Sequence, residues 1–200
     1  MNNSDISGLP DAKGQGLLIW GSGLYRRSNA YLAYVSLVGL ENKTNLHYFV
    51  GTRTDSDQPV WSTQESEAMD LFNQPQIGEI CVSWNRFLGV WLMLYNADGP
   101  RGINFRVAEK PWGPWSSTAV LFDPWTDQRY CHFMHASWDN RNCDSVHDPG
   151  REREWGGEYG PYVISSYTKG DNSQSTIYFT MSTWNPYNVV LMKSTLEIEH

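Results

Sequence analysis

The sequence predicts an all-β fold built from four-stranded blades, a partial β-propeller, and three observations support this prediction. First, Trp, Tyr and Phe make up 14% of the 200 residues, and aromatic side chains favour the pleated, half-buried surface of a strand. Second, the apolar runs are short and are bounded by Gly, Asn, Pro and Asp, which is typical of strands joined by turns. Third, these runs recur in sets along the chain, as in repeat architectures.

The repeat is clearest in one element. The segment PVWSTQESEAMDLF, residues 59–72, recurs as GPWSSTAVLF, residues 113–122, with Trp-Ser, a polar spacer and Leu-Phe in both copies. Each copy follows three strand-like runs, and a last set of three runs ends where its outermost strand would begin. A generic β-sandwich also has many short strands, but the repeated element favours the propeller. The predicted single domain, 1–200, divides into blades over about 14–72, 77–122 and 157–200 and a long insertion loop over 123–156.

Charge and hydropathy exclude several classes of function. The net charge is −7, and the 15 Lys and Arg residues are scattered, so we expect no nucleic-acid partner, because phosphate binding needs a basic stripe. No apolar run has the length of a membrane span, so we expect no membrane insertion. The N-terminal residues lack the apolar core of a signal peptide. The localisation is therefore open: the cytosol, or an extracytoplasmic site if the full-length relative is exported.

Five segments together resemble a known family of glycosidase-like five-bladed β-propellers, which was long catalogued only as a domain of unknown function. The resemblance runs from about Leu17 to Leu196 and is carried, in chain order, by WGSGLYRRSNAYLA, GEICVSW, AEKPWGPWS, GGEYGPYVI and YFTMSTWNPYNVVLM. Some members of that family are endo-D-arabinanases, which cut arabinan of bacterial cell walls. The resemblance implies that this chain corresponds to the last three blades. It implies no catalytic residue at a matching position, because the family's catalytic aspartates lie in the N-terminal blades.

Two glutamates are the candidate catalytic residues. Each predicted innermost strand opens with a glycine, and in two of the three a glutamate follows it: Gly78-Glu79 and Gly157-Glu158. Glycoside hydrolysis needs two carboxyl groups flanking the scissile bond. Because the two glutamates occupy matching blade positions, we expect them near the same opening of the channel. The alternative is that each glutamate caps a turn or pairs with an arginine.

Aromatic and basic residues of the predicted loops are candidate ligand contacts, since an aromatic face can stack on a sugar ring while its polar edge reaches a hydroxyl group. Trp184 and Tyr187 are the main candidates for such a platform, against the alternative that they cover a blade end. Arg26 either binds a ligand or joins two blades through a carboxylate. The full set of candidate substrate-binding residues is Trp20, Arg26, Trp84, Arg101, His135, Trp155, Trp184 and Tyr187.

The insertion loop carries cysteines and histidines at short spacings. Cys131 and His135, and Cys143 and His147, are each four positions apart, and paired spacings of this kind occur in zinc sites. The alternative, which we favour, is that Cys131 and Cys143 pair or stay free while the histidines contact substrate. We therefore expect no metal and no cofactor.

Three functions remain open: a glycoside hydrolase acting on an arabinan-like polysaccharide, a non-catalytic carbohydrate-binding module, and a structural propeller fragment. A carbohydrate is the expected ligand. Three blades leave one packing face bare at each end, and exposed apolar faces of this kind usually mark an association surface. We expect a homodimer that closes the ring with two-fold symmetry. The alternative is that the insertion loop folds over a bare face.

Overall fold

The computed structural model describes residues 1–124, 133–135, 146–147, 149–151 and 154–198. Cys131 and Cys143, for which a disulfide or a zinc site was considered, lie outside these residues, as does most of the predicted insertion loop. The chain is all-β, as predicted. The described residues form twelve strands: β1 (Gly16–Ser22), β2 (Ala30–Ser36), β3 (His47–Thr52), β4 (Pro59–Ser62), β5 (Ile77–Asn85), β6 (Val90–Ala97), β7 (Ile103–Ala108), β8 (Ala119–Phe122), β9 (Glu158–Val163), β10 (Lys169–Gly170), β11 (Gln174–Trp184) and β12 (Tyr187–Glu197).

Helical structure in the described residues is limited to single 3-10 turns of three residues each. One turn, Asn3–Asp5, precedes β1, and the others lie in connections between strands, at Leu37–Gly39, Lys43–Asn45, Glu65–Glu67 and Ser165–Tyr167. The described part of the chain has no helix with the length and apolar character that a membrane span requires.

The strands form three four-stranded antiparallel sheets. The first and second sheets have the strand orders β1-β2-β3-β4 and β5-β6-β7-β8, so each strand pairs with the next strand in the chain. In the third sheet β11 pairs with β12 on one side and with both β9 and β10 on the other. The first strands of neighbouring sheets are in contact, because β5 packs against both β1 and β9.

The middle sheet is covered on both faces. Leu92, Met93, Leu94 and Tyr95 of β6 are all buried, because alternate side chains point toward the first sheet and toward the third. A strand that is buried on both faces reads as a continuous apolar run, which is how this segment reads in the sequence.

Two groups of apolar contacts hold the sheets together. One group, between the second and third sheets, includes Leu94 with Phe179, and Met134 from the insertion loop. The other group, between the first and second sheets, includes Ala30, Met93 and Trp115. In β11 buried and half-buried residues alternate along the whole strand, so one face of the third sheet meets the core and the other does not.

Candidate functional site

A cavity of about 470 Å³ opens where the first strands of the second and third sheets lie together. Both predicted catalytic glutamates line it, and so do five of the eight predicted ligand contacts. Its lining residues are Tyr25, Arg26, Glu79, Asn96, Ala97, Arg101, Trp155, Gly157, Glu158, Tyr159, Trp184 and Tyr187.

Glu79 is held at an irregular point of β5. The pairing of β5 with β6 is regular from Ile80 onward but shifts between Ile77 and Ile80. Gly78 and Glu79 therefore form a bulge opposite Asn96, and bulges next to functional sites redirect side chains. A methyl group on Gly78 would lie 2.6 Å from Oδ1 of Asn96, so only glycine allows this close approach. The Glu79 carboxylate accepts a hydrogen bond of 3.2 Å from the hydroxyl of Tyr25.

Glu158 is the first residue of β9 and is only 6% exposed. Its Oε1 accepts a 3.0 Å hydrogen bond from the backbone N–H of Gly102. Its Oε2 is buried and has no hydrogen-bond partner among the described residues. Burial raises the pKa of the Glu158 carboxyl. Hydrogen bonds from the backbone N–H groups of Glu158 and Gly102, and the charges of Arg101 and Arg26, act in the opposite direction but are outweighed.

The buried amide of Asn96 connects the two glutamates. Its Oδ1 accepts the backbone N–H of Glu79 at 2.9 Å, and its Nδ2 donates to the backbone carbonyl of Glu158 at 3.5 Å. Asn96 lies near the end of β6, next to the loop that carries Gly102. One side chain thus fixes the backbone of both carboxylate-bearing strands.

Arg26 lies at the mouth of the cavity and also joins two sheets. Its Nη1 forms an ion pair of 3.0 Å with Oδ1 of Asp98, which links the β1–β2 connection to the β6–β7 connection. Its Nε donates to the hydroxyl of Tyr25 at 3.1 Å. The backbone of Arg26 has a φ of 52°, an uncommon value for a residue other than glycine. Both roles considered for Arg26 from the sequence are therefore compatible with its position.

The opposite wall of the cavity is aromatic. The rings of Trp184 and Tyr187 meet edge to face with centroids 5.7 Å apart. The guanidinium of Arg151 covers the Trp184 ring at 4.3 Å, and that of Arg101 lies 5.4 Å from the Trp155 ring. Trp184 is nevertheless 42% exposed, so part of its surface remains open to a ligand.

Backbone hydrogen bonds attach the end of the insertion loop to this wall. The Gly156 carbonyl accepts the backbone N–H of both Trp184 and Asn185, and the Gly156 N–H donates to the carbonyl of His135 at 2.6 Å. The buried Asn185 side chain donates to the carbonyls of Arg151 and Glu154. Trp155 precedes Gly156, and Trp184 donates its backbone N–H to the Gly156 carbonyl. The same hydrogen bonds therefore hold both tryptophans in place.

Three predicted ligand contacts lie away from the cavity. Trp20 packs against Trp91 between the first and second sheets and donates from Nε1 to the Pro111 carbonyl. Trp84 is near the other end of β5 from Glu79. The His135 side chain is fully buried, and its backbone N–H donates to the Asn185 carbonyl.

Five cavity residues were not among the site residues predicted from the sequence: Tyr25, Asn96, Ala97, Gly157 and Tyr159. Asn96 could have been chosen from the sequence, because it is the first residue of the segment NADGPRG, which also contains the candidate residue Arg101. The described residues contain no group of three or more His, Cys, Asp or Glu side chains placed to hold a metal ion.

A family model described as "Domain of unknown function (DUF4185)" matches residues 6–193 of the chain. No curated protein matches the chain.

Proposed function

The chain belongs to the DUF4185 family, and we propose that it is a carbohydrate-active β-propeller module whose cavity cleaves a neutral, arabinan-like polysaccharide. The observation that carries this proposal is the presence of two glutamates, Glu79 and Glu158, in one cavity with an aromatic wall. Glycosidases use a pair of carboxyl groups on either side of the scissile bond.

The propeller arrangement is supported by the order of the strands. The first and second sheets are each built from consecutive hairpins, and the first strands β1, β5 and β9 lie in sequence beside one another. In a propeller the first strand of each blade lines the central channel. The glutamates, on β5 and β9, would then face that channel.

The environments of the two glutamates differ, which supports different roles. Burial raises the pKa of Glu158, so this carboxyl retains a proton at a higher pH than an ordinary glutamate and can act as the general acid. Glu79 is only half-buried and accepts a hydrogen bond from Tyr25. Glu79 would be the second carboxyl group, which acts either as the base or as the nucleophile.

The residues that line the cavity supply the proposed contacts with the sugar. Trp184 and Tyr187 present aromatic surface on which the apolar face of a sugar ring stacks. Arg26 and Arg101 also line the cavity, and their guanidinium groups supply hydrogen-bond donors for the hydroxyl groups of the sugar. No cofactor is required for this chemistry.

Product release from a panel of arabinans tests the proposal. We expect the wild-type protein to release oligosaccharides and the Glu158→Gln and Glu79→Gln variants to release none, because an amide cannot transfer the proton. The matched control is Glu197→Gln, which changes an exposed glutamate at the end of β12. Release by Glu158→Gln at the wild-type rate would contradict the role of Glu158.

A non-catalytic carbohydrate-binding module is the second candidate, and one observation favours it. Oε1 of Glu158 accepts the Gly102 N–H, so this carboxyl also has a structural role that requires no reaction. Under this alternative, arabinan in the gel retards the wild-type protein in affinity electrophoresis, but the protein releases no product from arabinan.

We further propose that a second copy of the chain covers the two faces that the outer sheets leave open. On the last sheet Tyr162, Val189 and Leu191 are each more than half exposed, and the register of β9, β11 and β12 places them on one face. On the first sheet Ile19 is 41% exposed and lines a groove together with Tyr31. Packing the first sheet of one copy against the last sheet of the other would close a ring with two-fold symmetry.

A further inference from the structure

A second cleft, of about 560 Å³, lies at the other end of the β5–β6 hairpin from the carboxylate cavity. Trp84 in this cleft follows Glu79 on the same strand by five residues, which corresponds to about 17 Å along an extended chain. The two openings have no lining residue in common. The cleft is lined by Met1, Asp5, Ile6, Ser7, Gln58, Trp84, Trp91, Glu109, Lys110, Pro111 and Trp112.

The centre of the cleft is an exposed indole on a rigid support. Trp84 is 48% exposed and lies directly opposite Trp91 in the β5–β6 pairing. Their ring centroids are 5.6 Å apart with an angle of 62° between the planes. Trp91 is packed from behind by Trp20, at 5.4 Å. Trp84 therefore presents a fixed aromatic surface to solvent, and it does so without loss of conformational freedom on binding.

The polar groups around this surface include two carboxylates, which accept hydrogen bonds. Asp5 and Glu109 contribute carboxylates to the lining. The one lysine in the lining, Lys110, has its Nζ 3.4 Å from Oδ2 of Asp57, so an acid already offsets its charge. An acidic ligand is disfavoured at such a site, whereas hydroxyl groups find hydrogen-bond acceptors.

We propose that this cleft is a second carbohydrate-binding site. A neutral sugar ring stacks on Trp84, and its hydroxyl groups donate hydrogen bonds to the carboxylates of Asp5 and Glu109. The inference rests on the proposed carbohydrate function. It adds a site that holds a polysaccharide at a distance from the carboxylate cavity, so that a long chain is retained independently of the reaction. An aromatic surface with a few polar groups at its rim is the usual composition of a ligand site.

Native affinity electrophoresis in gels that contain soluble arabinan tests the proposal. We expect arabinan to retard the wild-type protein and Trp84→Ala to weaken this retention about tenfold. Tyr167→Ala is the matched control, because Tyr167 is 53% exposed and lines neither opening. Release of product from short arabino-oligosaccharides, which reach only the carboxylate cavity, is measured on the same variants and should not change in Trp84→Ala.

The outcomes separate this inference from the proposed function. Retention of Trp84→Ala equal to that of the wild type overturns the second site, whether or not the cavity cleaves oligosaccharides. Loss of retention together with normal cleavage supports both. Loss of retention in a protein that releases no product supports the second site and contradicts catalysis. If the wild-type cleft instead binds tetramethylammonium and no arabinan, it is a cation site, and the inference is wrong.

Discussion

The backbone N–H of Gly102 donates a 3.0 Å hydrogen bond to Oε1 of Glu158, which joins the β6–β7 loop of the second sheet to the first strand of the third. Gly102 has a φ of 97°, and a methyl group there would overlap the carbonyl oxygen of Phe122. Glycine is therefore required for the loop to bring its N–H to the carboxylate. The same hydrogen bond leaves Oε2 of Glu158 as the buried oxygen without a partner among the described residues.

The stability of the protein should depend on the protonation of Glu158. Burial raises the pKa of this carboxyl in the folded state, above its unfolded value of about 4.3. The folded state therefore binds the proton more tightly. The resulting stabilisation is fully present below the unfolded pKa and is lost as the pH rises through the folded pKa. Glu158→Gln is neutral at every pH, so we expect its unfolding temperature to rise relative to wild type as the pH rises from the unfolded pKa of about 4.3 through the folded pKa of Glu158.

Thermal unfolding of both proteins across this range measures the effect. Glu197→Gln removes an exposed carboxyl group and should follow the wild type at each pH. A constant difference between Glu158→Gln and wild type across the range would mean that the carboxyl is not perturbed by its burial.

Asn96 should be needed for the integrity of the cavity. Asn96→Ala leaves the Glu79 N–H and the Glu158 carbonyl without their side-chain partner. Losing a partner of a buried polar group costs about 1–3 kcal/mol of unfolding free energy. Asn96→Asp is the informative comparison, because it keeps the acceptor for Glu79, loses the donor to Glu158 and adds a buried carboxyl group beside both glutamates. Denaturant titration should rank the wild type above both variants, and equal stability of all three would show that the amide does not hold the strands.

The all-β class was predictable because it depends on local features. The runs bounded by turn residues became the strands, and the continuous apolar run VWLMLYN became β6, which is covered on both faces. Contacts between sheets were not predictable in the same way. Nothing in the spacing of His135 shows that its backbone pairs with Asn185, 50 positions later, or that its side chain is buried.

The candidate site was predictable where a motif coincides with a strand end. The Gly-Glu pairs begin β5 and β9, and both glutamates line one cavity. Trp84, in the same GEICVSW segment as Glu79, was also predicted as a ligand contact. Their separation of five residues on an extended strand already implies opposite ends of the strand. Asn96 was missed because its role depends on a bulge in the partner strand, which the sequence does not reveal.

Trp184 should contribute to ligand binding more than to folding. Its ring is 42% exposed and contacts Tyr187 and the Arg151 guanidinium rather than the core. We expect Trp184→Ala to weaken binding of arabino-oligosaccharides about tenfold and to change the unfolding temperature little. Calorimetric titration and thermal unfolding measure the two effects, with Tyr167→Ala as the exposed aromatic control. Unaltered affinity combined with a large loss of thermal stability would assign Trp184 to the fold alone.

The open faces of the outer sheets lead to a prediction about association. The described part of the insertion loop does not cover either face, because Phe133, Met134 and Trp155 pack with the core between the second and third sheets. The exposed Leu191 and Ile19 therefore lie on surfaces that a second copy is proposed to cover. Burial of apolar area is the main favourable term in such an association.

Light scattering at micromolar concentration checks this prediction. We expect the wild-type protein to have the mass of two 22.9 kDa chains. Leu191→Lys on the last sheet and Ile19→Lys on the first should each give monomers, because a lysine buried in an apolar interface loses its hydration without gaining a partner. Since each proposed interface joins the first sheet of one copy to the last sheet of the other, either substitution alone alters both interfaces of the ring.

Val120→Lys is the control: Val120 is 46% exposed on β8, away from both faces, so this variant should remain a dimer. A monomeric wild-type protein, or dimers that survive both Leu191→Lys and Ile19→Lys, would contradict closure through these faces.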